Sequence, residues 1–310
     1  MNTQPKIAIL LATYNGAEYL SAQLDSILAQ TYSNYIVVMR DDCSSDKTIA
    51  ILQNYQLRYP DKFHLVTAET TNKGASASFS CLIEYTLDHK EPLGLQAAYM
   101  MFCDQDDVWF VDKIEREVSA MLTAEAGNLK MPVLIHSDLE VVSEKLEQIA
   151  PSFIHYQGLE IERNCFNNMV ISNLVTGCTT LINESLAVKA SPVSKQAIMH
   201  DWWLALVAAA FGKVVFLDQP LVHYRQHSRN TIGAKEFAKL PAVSMSLLQR
   251  LLTRKPNDHL FEVARQAREF QDRFGAQLTL HQRNGLRIAT GLRVRTGILQ
   301  RILYRVARRY

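Results

Sequence analysis

The feature that most constrains this chain is a repeated alternation in its first third. Four short apolar runs, residues 6–12 (KIAILLA), 35–39 (YIVVM), 63–68 (FHLVTA) and 97–102 (AAYMMF), are separated by stretches with helical apolar spacing. Runs this short and continuous read as strands buried on both faces. Strands alternating with amphipathic helices predict a parallel, Rossmann-like sheet.

Each run ends in a polar turn. In order these are Thr13-Tyr14-Asn15-Gly16, the residues from Arg40 to Asp46, Asn72-Lys73-Gly74, and Cys103-Asp104-Gln105-Asp106-Asp107-Val108-Trp109. A parallel sheet brings all four to one edge, where open α/β sheets bind their ligands. The last turn is the most telling. Its three carboxylates repel one another unless a cation or hydrogen-bond donors hold them. Carboxylate oxygens suit hard divalent ions. The turn therefore points to a metal-assisted site for a phosphate-bearing ligand; the plainer alternative is an acidic strand-to-helix turn.

After the fourth run the pattern changes. Strands are expected at 133–136, 174–182 (with a glycine kink), 213–217 and 221–224, mixed or antiparallel in direction. Met199-His200-Asp201-Trp202-Trp203 opens an apolar helix through Phe211, and Ser45 or Asp46 is expected to cap an earlier one. From Glu236 onward the chain reads as helical. The expected organisation is a catalytic α/β domain over 1–235 and a helical, basic region over 236–310.

Composition narrows the function. With 48% apolar residues a sizeable core is available, and no run of about 18 apolar residues marks a membrane span. The N-terminal residues lack a signal-peptide layout, so a cytoplasmic location is expected. Cysteines 43, 81, 103, 165 and 178 are odd in number and without metal-binding spacing, which fits small apolar residues in the reduced state. No P-loop or G-x-G-x-x-G follows the first strand, which disfavours an ATPase, a nicotinamide dehydrogenase and a sugar nucleotidyltransferase. The net charge of +2 conceals an asymmetry: no acidic residue follows Asp272, whereas nine arginines do. The first 272 residues hold 31 acidic residues against 24 basic ones. Nucleic-acid binding is not expected, because the basic residues are confined to the tail.

Single residues remain open on their own chemistry. Tyr14 can stack on a base or pack in the core, and Asp42 can accept from a base N–H or serve its turn. Asp201 can act as a general base or cap its helix. Trp202 and Trp203 offer a platform for a sugar ring or simply core. His227 can ligate a metal through a neutral ring nitrogen or stand as a loop residue.

The set in order is more specific than any piece. Thr13-Tyr14-Asn15, Asp41-Asp42, Asn72-Lys73-Gly74, Asp104-Gln105-Asp106-Asp107, Asp201-Trp202-Trp203 and Tyr224-Arg225-Gln226-His227, over about residues 5–235, resemble family 2 glycosyltransferases. The wording is closest to rhamnosyltransferase-like members of bacterial surface polysaccharide synthesis.

The resemblance implies a GT-A fold, a Rossmann-like mixed sheet flanked by helices, with a helical C-terminal extension. It implies an inverting transferase using a nucleotide sugar, dTDP-L-rhamnose or a UDP-hexose, and a divalent metal, Mn²⁺ or Mg²⁺. Thr13, Tyr14, Asp41, Asp42, Lys73 and Asp104 would then bind the nucleotide, Asp106 and His227 the metal, and Trp202 and Trp203 the acceptor. Asp201 would be the base, although the family often has Glu-Asp where this chain has His200-Asp201. The acceptor would be a glycan or a polyprenyl-diphosphate-linked glycan. The basic amphipathic tail would lie on the anionic inner face of the membrane or dock on the catalytic domain. The competing class is a non-catalytic protein that binds nucleotide sugars at the membrane.

Overall fold

The computed structural model describes residues 4–67, 71–228 and 256–310. Four buried strands open the chain: β1 (Ile7–Thr13), β2 (Tyr35–Asp41), β3 (Phe63–Leu65) and β4 (Tyr99–Cys103). The helices α1 (Leu20–Leu28), α2 (Thr48–Arg58) and α3 (Ala75–Asp88) connect them. All four strands pair in parallel, in the order β3-β2-β1-β4. Asp46, not Ser45, serves the start of α2, accepting from the Thr48 N–H at 2.9 Å.

β1 shows why the sheet is covered on both faces. Ala8 and Leu10 belong to one hydrophobic core, and Ile7, Ile9 and Leu11 to the other. Successive side chains of a strand point to opposite faces, so an unbroken apolar run needs a layer on each side. The helices α1, α2 and α4 (Lys113–Glu125) cover the second core, while α3, α7 (Glu184–Ala190) and α8 (His200–Phe211) cover the first.

The second half completes a nine-stranded sheet with β5 (Val108–Trp109), β6 (Val133–Val142), β7 (Gln148–Ala150), β8 (Thr180–Ile182) and β9 (Lys213–Arg225). Beyond β4 the order is β8-β6-β9-β5, with β7 beside β6. β8 is antiparallel to both β4 and β6, whereas β6 and β9 run parallel, so the sheet is mixed. Three local expectations change. β6 continues to Val142, well past His136. The two strands expected within 213–224 are one strand, its register shifting beside Pro220, which cannot donate to the ladder. The expected strand 174–182 shortens to Thr180–Ile182, because Gly177–Thr179 form a 3-10 turn whose backbone is drawn to other partners.

The C-terminal helices α9 (Asp258–Phe274), α10 (Leu280–Thr290) and α11 (Gly297–Ala307) pack onto the first core. Phe270 and Phe274 meet Trp203, with ring centroids 5.4 and 6.0 Å apart. The expected boundary at 235/236, and the helix expected from Glu236 up to residue 255, lie outside the described residues. The short helices α5 (Phe153–Gln157) and α6 (Phe166–Met169) precede β8. Among the described residues no helix is long and apolar enough to cross a membrane.

Candidate active site

The strand order reverses at β1, which has β2 on one side and β4 on the other. At such a switch point the two neighbouring connections leave in opposite directions and open a crevice. Here a cavity of about 1200 Å³ begins, bordered by Thr13, Tyr14, Asp42, Asp104 and Asp106 from the strand ends.

The two aspartates after β2 have different surroundings. Asp41 accepts from the Thr13 hydroxyl at 2.9 Å and from the Ser44 N–H and hydroxyl at 2.8 and 2.6 Å. It is almost wholly buried and does not border the cavity, so the expectation that it meets the nucleotide is corrected: its carboxylate is spent on shaping the turn. Asp42 does border the cavity and accepts from Arg40 at 2.7 Å and from the Gly74 N–H at 2.7 Å. The Lys73 N–H also donates to it, at 3.0 Å. Burial acts to raise the Asp42 carboxyl, but these donors outweigh it and hold the carboxyl below its ordinary range. Lys73 thus enters through its backbone, while its ammonium approaches the Cys81 sulfur at 3.7 Å.

Tyr14 is half exposed on the rim. Its N–H donates to the Gln105 side-chain oxygen at 2.8 Å, and the Gln105 amide donates back to the Tyr14 carbonyl at 3.0 Å. Gln105 therefore ties the first turn to the acidic one. A Cβ on Gly16 would come within 2.1 Å of that amide oxygen, so a side chain there would have to push the Gln105 amide aside.

The acidic turn divides by depth. Asp104 and Asp106 border the cavity. Burial, then the charges of Asp106 and Asp201, push the Asp104 carboxyl up to about 7. Asp107 lies wholly inside, accepting from the Arg225 N–H at 3.1 Å, and burial pushes its carboxyl well up. The ring Nε2 of His227 lies 2.8 Å from Asp106 Oδ2, and the ring stacks on Tyr19 with centroids 4.7 Å apart. The Arg225 guanidinium donates to the Asp106 carbonyl at 2.8 Å and fixes the same turn from β9. The donor set fits a divalent cation: crowded carboxylates whose ionisation is opposed without one, with an imidazole beside them. Asp104, Asp107 and Cys178 also bring ligand atoms within 4.8 Å of one another. That second group is the deeper one, and Asp107 and Cys178 do not border the cavity.

Asp201 reaches the cavity from the other half of the chain. It is the second residue of α8, not its cap, which is Met199. Its Oδ2 accepts from the Gly177 N–H at 2.9 Å and its Oδ1 from the Trp202 N–H at 2.5 Å, with the Asn173 amide at 3.4 Å. Burial pushes the carboxyl up to about 6 despite these donors. Beside it, His200 stacks on Phe79 at 4.2 Å, and burial drives its ring down to about 3, so it is neutral. Neither ring nitrogen meets a partner among the described residues. Trp202 borders the cavity, its indole N–H donating to the Met169 carbonyl at 2.6 Å. Trp203 does not. It is fully buried and donates to the Ala190 carbonyl at 3.1 Å, so the expectation that it meets an acceptor is corrected: it is core.

Several cavity residues were not singled out from sequence, namely Gln105, Asn173 and Gly177, together with Asn257, His259, Gln300, Arg301 and Tyr304 from α11 and the start of α9. Only Gln105 had a signal, its place between two singled-out aspartates.

The mixed sheet with its parallel start thus brings a strand-end carboxylate pair at its switch point and a further carboxylate from the second half of the chain to one cavity. The chain belongs to the family described as Glycosyl transferase family 2, whose sequence model matches residues 8–186. It is 24% identical over 256 residues to the dTDP-rhamnosyl transferase RfbG of Shigella flexneri, covering 79% of this chain and 81% of that one. It is 26% identical over 180 residues to WfgD of Escherichia coli, a UDP-Glc:alpha-D-GlcNAc-diphosphoundecaprenol beta-1,3-glucosyltransferase, covering 57% of this chain and 59% of that one. Among solved structures, S. aureus TarS 1-349 in complex with UDP-GlcNAc superposes with a TM-score of 0.54 at 14% identity, covering 98% of this chain and 90% of that one. The mannosyltransferase PcManGT from Pyrobaculum calidifontis, in complex with GDP-Man and Mn²⁺, gives 0.54 at 13% identity, covering 99% and 80%. These likenesses establish the GT-A fold.

Proposed function

We propose that the protein transfers a sugar from a nucleotide donor to a glycan or lipid-linked glycan acceptor, with inversion, in bacterial cell-surface polysaccharide synthesis. The observation that carries this is one cavity bordered both by the strand-end pair Asp104 and Asp106 and by Asp201 from the second half of the chain. Inversion needs donor and acceptor on opposite faces of the anomeric carbon, with one carboxylate for the metal and another for the acceptor hydroxyl.

Thr13, Tyr14 and Asp42 would hold the nucleoside, with Tyr14 offering its ring to the base. Asp104 would face the ribose. Asp106 and His227, beside Asp104, would hold a divalent cation, Mn²⁺ or Mg²⁺, which when bound supplies charge neutralisation for the donor diphosphate. Asp201 takes the proton from the acceptor hydroxyl as that oxygen bonds to the anomeric carbon. The anomeric C–O bond breaks in the same displacement, and the nucleoside diphosphate leaves with the electron pair. His200 is a poor candidate for the base, because its neutral ring is buried against Phe79 and holds protons too weakly. Trp202 would border the acceptor.

The likeness to RfbG favours dTDP-L-rhamnose as donor, and the likeness to WfgD favours a UDP-hexose as the alternative. By the WfgD comparison the acceptor would carry a polyprenyl diphosphate, placing the enzyme at the cytoplasmic face of the membrane with its basic tail on anionic lipid. The testing experiment measures nucleoside diphosphate release from dTDP-L-rhamnose and from UDP- and GDP-sugars, with Mn²⁺ or Mg²⁺ and with chelator. Metal-dependent release from one donor is expected. Binding of donors without release from any, lipid-linked acceptors included, refutes the transferase reading.

A further inference from the structure

Three segments distant in sequence close around the end of the acidic turn. From β9, the Arg225 guanidinium donates to the Asp106 carbonyl at 2.8 Å and to the Glu144 carbonyl at 2.6 Å. Glu144 sits in the turn between β6 and β7, and its carboxylate accepts from the Tyr19 hydroxyl. Tyr19 stands directly before α1, where its N–H donates to the Gly16 carbonyl at 3.2 Å. The Tyr19 ring stacks on His227 at an interplanar angle of 27°, and the Arg225 guanidinium lies 4.8 Å from its centroid. His227 then meets Asp106 and returns the circuit to the acidic turn.

This circuit sets one pair of atoms. Nε2 of His227 and Oδ2 of Asp106 lie 2.8 Å apart. Adjacent ligands of an octahedral divalent ion, each bonded at about 2.1 Å, lie about 3 Å apart. The pair therefore already has the spacing of neighbouring ligands. Asp106 is held by its own turn and by Arg225. His227 follows the end of β9 by two residues, its side chain is 5% exposed, and the Tyr19 ring covers one face of its imidazole. Tyr19 is anchored in turn by its neighbour Leu20, which is fully buried in the second core.

We propose that Tyr19 is a positioning residue for the cation site: its ring holds the His227 imidazole in register with Asp106, so that both ligand atoms are set before the ion arrives. This rests on the metal assignment made above and adds to it a residue outside the cavity lining, which acts through His227. An imidazole that has to be ordered as the ion binds loses rotamer freedom at that moment; a stacked ring removes that cost beforehand. The Glu144 carboxylate and the Arg225 guanidinium fix the tyrosine in the same way from its hydroxyl and from its ring.

The test measures Mn²⁺ binding to the full chain by electron paramagnetic resonance, from the loss of the free-ion signal, with dTDP or UDP present and the nucleotide alone as blank. Tyr19→Leu is expected to weaken Mn²⁺ binding by about three- to tenfold, and Tyr19→Gln, which also lacks a ring, by as much. Tyr19→Phe keeps the ring and should stay within about twofold of wild type. The decisive arm is the cycle with His227→Ala, on which background Tyr19→Leu should cost nothing more. An equal loss there assigns the effect to the fold of the turn and overturns the proposal. So does wild-type affinity in either folded ringless variant, or a loss in Tyr19→Phe as large as in Tyr19→Leu. Wild-type protein that binds no Mn²⁺ beyond the blank removes the cation site and the proposal together. The transferase reading is judged separately, and fails only if no donor is cleaved with or without metal.

Discussion

If Asp201 is the base, its environment sets the acid limb of the pH–rate profile. Burial pushes its carboxyl up to about 6, so the base form is lost as pH falls through that value and activity rises with pH across it. About nine-tenths of the carboxyl is ionised at pH 7 and just under one-tenth at pH 5, a roughly tenfold change in rate. Asn173→Ala is the informative perturbation. The Asn173 amide donates to Asp201 Oδ1 over 3.4 Å, a long contact, whereas Gly177 and Trp202 donate at 2.9 and 2.5 Å. A hydrogen bond to a charged group is worth about 1.5–3 kcal/mol, and this length places it at or below the lower bound. One pKa unit is about 1.4 kcal/mol, so the limb should move up by about one unit, to about pH 7. Near pH 6 the variant should be about fivefold slower than wild type; near pH 9 the two should match. The assay is initial nucleoside diphosphate release under saturating donor and Mn²⁺. The metal matters because Asp104 is itself pushed up to about 7, and a cation beside it favours its ionised form. A wild-type limb at the ordinary carboxylate value near 4, or an Asn173→Ala profile superposing on wild type, would refute the reasoning.

Asp201→Asn should lower turnover by about 10²- to 10⁴-fold while nucleoside diphosphate affinity, measured by calorimetry, stays within about twofold. Asp106→Ala should abolish both activity and the stimulation by Mn²⁺; a metal-independent, active variant would remove it from the metal site. Trp203→Ala should cost about 3–5 kcal/mol in denaturant unfolding, because it empties a core position between Phe270 and Phe274. Lys113 and Glu117 pair with both side chains fully buried, so Lys113→Met alone should cost about 3–5 kcal/mol, and adding Glu117→Leu should recover most of it in the same unfolding assay.

The first four strands were legible because each is a local apolar run, and the turns that end them carry their polar residues within a few positions of the sequence. The second half was less legible because its geometry is set by partners far away. The run 174–182 has the composition of a strand, but Asp201 draws the Gly177 N–H and the Asn173 amide towards it, and the chain turns before Thr180. The cavity wall from α11 was equally hidden: its arginines read as a surface tail, and only packing turns Arg301 and Tyr304 toward the same cavity as Asp201.

Neighbours of one type mark the limit most sharply. Asp41 and Asp42 are indistinguishable in composition and both follow an apolar strand. The Asp42 N–H still donates to the Thr13 carbonyl at 2.8 Å, so the backbone continues the β1–β2 pairing for one residue. Successive strand side chains point to opposite faces. Asp41 therefore turns to Thr13 and Ser44, and Asp42 to Arg40 and the N–H groups of Lys73 and Gly74 at the cavity. Trp202 and Trp203 divide by the same kind of rule on a helix, where one residue is about 100° of rotation: one borders the cavity and the other meets α9. In both pairs the register of a single residue decides which member borders the cavity.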